Sequence, residues 1–431
     1  MVEKFLFSTK NIVRSSYIWN TFSGVIDACQ SVILLIVITR TNGLYDAGVF
    51  AIAYAIANLM LAIGKYGIRV YQVSDIKENY IFGDYLGART VTCILMLIAS
   101  IIYSGYGLVF GDYDINKFLV IMLVCVLKIV DAFEDAFHGN FQQKNRLDAA
   151  AKAKSLRMIV VIFVYTAALI ITENLLISTI FSVIAAVTGF FIFTFKPAPQ
   201  IEKINLVFSS QQIKGILKAC FALFAGGFLI FYISNAPKYA IDYYLSEEDQ
   251  ACYNFIFMPV WVISLLSNFI FQPIMLRLAE FWNRGSLKKF RGIIIRQVVA
   301  VTGITSLCII GAFLIGIPVL EFLYATELSQ YRTELCILLF GGGMLAFSQF
   351  FIGVVTVIRR QKMLLWGYLL AAIAAKVFSG WFIINYKIMG ASVLYTMLMS
   401  VLSLIFLFTM IIEIRKDIKE EKVQRSNPRT I

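Results

Sequence analysis

The sequence predicts an all-α, polytopic membrane protein of about twelve transmembrane helices, arranged as two six-helix bundles with both termini in the cytoplasm. Three observations carry this. Hydrophobic residues make up 60% of the 431-residue chain and charged residues only 15%. The apolar residues gather into segments near 17–39, 47–68, 88–109, 117–137, 155–172, 175–195, 215–236, 252–272, 297–317, 335–357, 364–385 and 390–412. Most have the ~20 residues needed to cross a hydrocarbon core of ~30 Å. Finally, the basic residues alternate. Of 38 Lys and Arg, only Arg40, Lys117, Lys238, Arg332 and Lys387 occupy six of the gaps, and Lys128 and Lys376 lie inside spans. All the others fall in the N-terminus, 65–89, 144–157, 196–218, 277–296, 359–362 and the tail after 412. By the positive-inside rule these are the cytoplasmic gaps.

The net charge of +12 therefore orients the chain against anionic lipid and is no signal for nucleic acid. The external gaps are acidic, with Asp112, Asp114, Asp242, Glu247, Glu248, Asp249, Glu321, Glu327 and Glu334. The first apolar segment is long and lacks a small-residue cleavage site, so it reads as a span and not as a cleavable signal. Seven cysteines are scattered through apolar segments with no CxxC; they read as packing residues, not as a disulfide or metal framework.

Taken in order, the first span carries Asn20, Ser23, Asp27 and Ser31 on one face. The second opens on Asp46-Ala47-Gly48-Val49-Phe50 and presents Tyr54, Asn58, Lys65 and Arg69 together. The fourth is the most charged: Lys128, Asp131, Glu134, Asp135, His138 and Gln142 fall within an arc of about 120° at 100° per residue. Between the sixth and seventh spans lies a polar linker, Lys196-Pro197-Ala198-Pro199 to Gln211-Gln212. The eighth opens on Asp249-Gln250-Ala251-Cys252-Tyr253, as the second does, and shows Asn254, Trp261, Asn268 and Gln272. Phe133 and Gly139 of the fourth span match Phe347 and Gly353 of the tenth, with Gln143-Lys144 and Gln361-Lys362 following. The eleventh places Lys376 near its centre. These correspondences make two copies of six spans, residues 1–196 and 215–412, joined by a cytoplasmic linker at 197–214 and followed by a charged tail at 413–431. An even number of spans gives both copies the same orientation, with a substrate path between them.

A charge at the centre of a helix crossing lipid costs about 2.5–3.5 kcal/mol on insertion scales, so the polar faces must meet protein or water. Read as the lining of a wet cavity, they nominate Lys128, Lys376, Arg69, Asn58, Asn268 and Gln272 for substrate binding, and Asp27, Asp131, Glu134 and Asp135 for a coupling cation. A structural alternative stands beside each. Lys128 and Asp131, three residues apart, could neutralise each other, Asp135 could join them, and Lys65 and Arg69 could snorkel to headgroups. His138, the lone histidine, reads as an interfacial residue. Gly226-Gly227, Pro237, Pro259 and Gly341-Gly342-Gly343 mark close packing or bends that move during transport. No phosphate loop, HExxH, GxSxG or dinucleotide fingerprint occurs in a plausible context, so the reading is of a protein that is not an enzyme and holds no cofactor.

The stretch Trp19-Asn20-Thr21, Arg40, Gly43, Asp46-Ala47-Gly48-Val49-Phe50-Ala51, Gly67 and Asp75, with Phe137-His138-Gly139-Asn140-Phe141-Gln142-Gln143-Lys144-Asn145-Arg146, resembles the bacterial polysaccharide repeat-unit flippases (Wzx-type, polysaccharide transporter family) of the MOP exporter superfamily. The resemblance implies two V-shaped bundles of MATE/MOP type around a central cavity, in the bacterial inner membrane. It implies alternating access and an undecaprenyl-pyrophosphate-linked oligosaccharide (O-antigen, capsule or exopolysaccharide) moved from the cytoplasmic to the outer leaflet. Coupling to H+ or Na+ and contact with membrane lipids, a polysaccharide polymerase and export machinery are further implications. It supplies no invariant constellation to map onto single residues. The acids within the spans outnumber the bases, which keeps a multidrug/cation antiporter of the same superfamily as the alternative. A membrane-embedded polysaccharide-modifying enzyme using Asp131, Asp135 and His138 is the remote one.

Overall fold

The computed structural model describes all residues except 1, 76, 77, 112, 206, 359–363 and 427–431, and leaves the side chains of 268, 269, 272, 273, 276 and 417–426 undescribed. Regular structure among the described residues is helical throughout: α1 (Val2–Phe7), α2 (Ile12–Asn42), α3 (Leu44–Lys65), α4 (Ile68–Ser74), α5 (Phe82–Phe110), α6 (Ile115–Gln143), α7 (Leu147–Thr172), α8 (Leu175–Phe190), α9 (Ser210–Tyr244), α10 (Glu247–Asn283), α11 (Leu287–Gly311), α12 (Ile317–Tyr324), α13 (Arg332–Val357) and α14 (Leu364–Ser426). Ten stretches are long and apolar enough to cross a membrane. To these the described structure adds α6, whose charges set it apart, and a second crossing within 364–416. That last stretch is broken at Lys387, where φ is 47° and ψ −129°. Among the described residues this makes twelve helical stretches long enough to cross, as the sequence predicts.

Two compact units divide the chain: Met1–Phe231 with Ser246–Cys252, and Tyr232–Leu245 with Tyr253–Ile431. At the centre of the first unit stands α3. Its sequence alternates alanine and glycine with branched residues, and nearly every position from Ala47 to Leu61 is buried. A helix so rich in small apolar residues can be packed on several sides, and α3 packs on α2, α5 and α6. The approach is closest at Gly48, where an added Cβ would lie 1.9 Å from the Glu247 carbonyl oxygen. The carboxylate of Glu247 is gripped there by Lys117.

The linker packs within this unit. Asn205 and Val207 run against a glycine face of α5, so a Cβ at Gly83 or Gly87 would meet their carbonyl oxygens at 2.2 Å. Neither oxygen can retreat without moving the segment. Gly87→Val is therefore expected to destabilise the unit by about 1–3 kcal/mol, the usual penalty of overpacking, read as a lower midpoint in thermal unfolding. Nearby, Phe82, Phe137 and Phe190 stack edge to face at 5.4 and 5.5 Å. The short α1 rests on this core through fully buried Leu6. Its terminal carbonyls accept from Lys152 and Arg146, which satisfies groups that a helix end leaves unpaired.

In the second unit α13 lies along α14 and α11. The three consecutive glycines serve three neighbours, since successive residues of a helix point 100° apart. A Cβ at Gly341 would meet Tyr395 and Thr396, one at Gly342 would meet Val260, and one at Gly343 would meet Thr305, all inside 3 Å. Close packing is the reading that the structure supports for this triplet.

Candidate functional site

The arc of charges on α6 is split between two sets of partners. On one edge, Asp131 and Glu134 face α7, which begins at Leu147 and so carries Lys154 and Arg157 inside the helix. Fully buried Arg157 donates from Nη2 to Asp131 Oδ1 at 2.6 Å and from Nε to Glu134 Oε2 at 2.9 Å. Its stem occupies the space that Gly189 of α8 leaves open, where a Cβ would stand 2.9 Å from Arg157 Cγ. Lys128 completes the set, donating to Asp131 Oδ2 at 3.0 Å and to the Tyr54 hydroxyl at 3.3 Å. The second oxygen of Glu134 accepts from Thr194 Oγ1 at 2.7 Å. Thr194 reaches it because α8 widens into a π turn at Phe191–Phe195, a local irregularity that re-aims a side chain. His138 Nε2 stands 3.7 Å from the same carboxylate.

On the other edge, Asp135 faces α4 and α5. It receives Arg69 Nη1 at 3.2 Å and Arg89 Nη2 at 3.0 Å. Arg69 gets there because α3 ends in a left-handed Tyr66 (φ 48°) and Gly67 (φ 70°). That pair turns the chain into α4 and slides Arg69 beneath α6, where it also donates to Gln142 at 2.9 Å. Arg89 is wholly buried. It donates to the Gly64 carbonyl at 2.7 Å and so caps the last turn of α3, where carbonyls lack helical partners and the dipole favours a cation.

Asp27, on α2, pairs with Lys154 at 2.7 Å, and its side chain is 44% exposed. Lys65, half-buried at the end of α3, makes no ion pair among the described residues. It lies within electrostatic reach of Asp135, Lys154 and Asp27. Around the acids of this unit the structure thus gathers Lys65, Arg69, Arg89, Lys128, Lys154 and Arg157 against Asp27, Asp131, Glu134 and Asp135. Cations outnumber carboxylates six to four, so the excess of acids inferred from the spans is reversed. Three of the cations keep access to the surface: Lys65 is half-buried, and Arg69 and Lys154 are 28% and 27% exposed.

Of the nominated residues, Lys128, Arg69, Asp27, Asp131, Glu134 and Asp135 come together in this unit. Asn58 is half-buried on α3, without a hydrogen bond to another described residue. Lys376 belongs to the second unit, exposed on α14 and free of ion pairs among the described residues. The side chains of Asn268 and Gln272 lie outside the described residues. Sequence reasoning missed Arg89, Lys154, Arg157 and Thr194. The signal for Arg157 was the alanine-rich run Ala149-Ala150-Ala151, which extends the helix upstream of its apolar window.

The two stretches that carry the family likeness meet at one end of the unit. A Cβ on Gly139 would stand 2.3 Å from Gln72 Oε1, and Gln143 donates to the Asp75 carbonyl at 3.1 Å. Asp75 organises the turn before α5, accepting from the backbone of Asn79 and Tyr80, the Asn79 amide and the Tyr85 hydroxyl at 2.8–3.2 Å. Burial raises its carboxyl, but these hydrogen bonds outweigh burial and hold it below the usual carboxylate range. A depressed folded-state value contributes stability that is complete above about pH 4 and lost as pH falls through it. Asp75→Asn should therefore cost about 1–3 kcal/mol at neutral pH. Limited proteolysis of the 75–81 turn is expected to separate wild type from variant at neutral pH and to bring them together in acid.

The chain belongs to the polysaccharide biosynthesis protein family, whose model matches residues 13–279. No curated protein matches it by sequence. Among solved structures it is similar to the lipid II flippase MurJ in an inward closed conformation, with a TM-score of 0.69 at 15% identity over 91% of this chain and 87% of that one. A multidrug resistance MATE family transporter of the MOP superfamily, inward-facing, matches with a TM-score of 0.62 at 12% identity over 90% and 95%. A MOP superfamily transporter from Pyrococcus furiosus, described as having a binding pocket of reverse polarity, matches with a TM-score of 0.56 at 12% identity over 94% and 95%. At these identities the likeness establishes the fold alone, that of a polytopic all-α membrane protein.

Proposed function

We propose that the protein flips a lipid-linked oligosaccharide, an undecaprenyl-pyrophosphate-borne repeat unit of O-antigen, capsule or exopolysaccharide, from the cytoplasmic to the outer leaflet of a bacterial inner membrane. The observation that carries this reading is the surplus of cations around α6, with Lys65, Arg69 and Lys154 still accessible. A pyrophosphate cannot enter hydrocarbon unaccompanied, and partly exposed Lys and Arg side chains are the groups that pair with phosphate oxygens. No bond is made or broken, so the protein acts as a carrier and not as an enzyme. It works by alternating access, with Lys128, Asn58, Lys376, Asn268 and Gln272 as further lumen residues.

Coupling to H+ or Na+ falls to the acids, and they are not equivalent. Asp131, Glu134 and Asp135 are each held by two basic or hydroxyl partners, while Asp27 is half-exposed with one described partner. Asp27 is therefore the foremost candidate for the coupling cation. Membrane lipids surround the protein, and a polymerase and export machinery receive its product. The same half-exposed carboxylate would suit the multidrug/cation antiporter alternative. A deletion strain separates the two: accumulation of lipid-linked units at the cytoplasmic face with loss of surface polymer supports flipping. Normal polymer with sensitivity to cationic drugs contradicts it.

A further inference from the structure

The second unit holds a buried lysine with no counter-ion among the described residues. Lys238, which the sequence counts among the external gaps, lies within α9 and is 6% exposed. Its Nζ stands 4.5 Å from the centre of the Phe257 ring on α10. The same ring carries Tyr395 of α14 edge-on at 5.0 Å and Tyr253 at 5.8 Å. Both tyrosines are fully buried, and neither hydroxyl finds a hydrogen-bond partner among the described residues. Of titratable groups, Tyr253 of α10 and Tyr395 of α14 stand against the same ring, and Tyr239 and Asp242 follow Lys238 by one residue and by one helical turn along α9 itself. Lys238 forms no ion pair among the described residues.

An ammonium taken from water with no opposite charge loses several kcal/mol of hydration. A cation–π contact returns only about 0.5–2 kcal/mol. The aromatic setting therefore suits the neutral amine, whose lone pair and two N–H groups need far less solvation. Pro237 immediately precedes the lysine inside α9, removing one backbone donor and weakening the helix there, so this is where α9 bends most readily and admits water.

We propose that Lys238 is a proton-binding site, neutral in the conformation seen here and an ammonium when the outer end of α9 is wetted. The amine lone pair takes the proton from water on one side, and the ammonium returns it to water on closing; no other bond changes. The proposal deepens the transport reading, in which a cation drives the cycle, yet protonation is testable without cargo.

The test uses the full-length protein in lipid nanodiscs, labelled with 15N-lysine, with Lys238→Arg assigning the Nζ signal. At about pH 8 that signal is expected in the neutral-amine region, converting to ammonium on acidification to about pH 5. Amide exchange across 232–260 should rise over the same interval by about tenfold, equivalent to ~1.4 kcal/mol in an opening equilibrium, and should lose its pH dependence in Lys238→Met. An ammonium signal at both pH values would overturn the proposal. So would exchange whose pH dependence survives in Lys238→Met, or an amine that titrates with no change in exchange. Should Lys238→Met fail to give a monodisperse protein, Lys238→Gln replaces it, and the wild-type signal still decides the charge state. None of these readouts involves cargo, so a failed transport assay leaves them standing.

Discussion

Replacing Arg157 with methionine is expected to abolish folding of the first unit. The guanidinium is the shared partner of Asp131 and Glu134, all on helices packed together, and Glu134 is 1% exposed. Methionine fills much of the same volume against Gly189 and removes only the charge. Two carboxylates then face each other in a dry interior with Lys128 as their remaining cation. Breaking a buried pair by removing one partner costs about 3–5 kcal/mol, a large fraction of the stability of a typical domain. The expected result is loss of monodisperse protein after extraction. Adding Glu134→Gln to Arg157→Met should restore it, because Asp131 keeps Lys128 as its counter-ion and the amide at 134 needs none. Failure of the double variant to recover would show that shape, and not charge, is what Arg157 contributes.

Lys65→Ala is expected to do the opposite, leaving the fold intact and stopping transport. Lys65 makes no ion pair among the described residues and is half-buried at the end of α3, so its removal strands no carboxylate. Its charge is the one most available to an incoming anion, beside partly exposed Arg69 and Lys154. A charge-assisted hydrogen bond is worth about 1.5–3 kcal/mol, which is roughly a 10- to 100-fold loss of affinity for a pyrophosphate. The check is complementation of a deletion strain, scored as surface polymer at matched membrane levels of wild type and variant. Full complementation by Lys65→Ala would move the anion site elsewhere.

The helical fold and the span count were legible in the sequence because hydrocarbon thickness is a strong, local constraint. The charged face of α6 was legible too, through its 100° period. What the sequence hid was the identity of the partners, and the cause is physical. The positive-inside reading counts every cation outside an apolar window as a loop charge, and so assigned Arg89, Lys154 and Arg157 to cytoplasmic gaps. Helices continue past the hydrocarbon boundary, and these residues sit about two to three turns inside α5 and α7. The same accounting made Lys238 an external loop residue. The apparent excess of acids came from this omission alone. Gly341-Gly342-Gly343 was ambiguous for a different reason: only the positions of α10, α11 and α14 reveal that each glycine has its own neighbour.

The most direct test is translocation by the purified protein in proteoliposomes that carry an undecaprenyl-pyrophosphate-linked saccharide, read as access of the sugar to an external lectin or glycosidase. Protein-dependent movement of the lipid-linked sugar, lost in Lys65→Ala, is the predicted result. A protein that leaves the sugar in place but moves a cationic dye against a proton or sodium gradient would contradict the account.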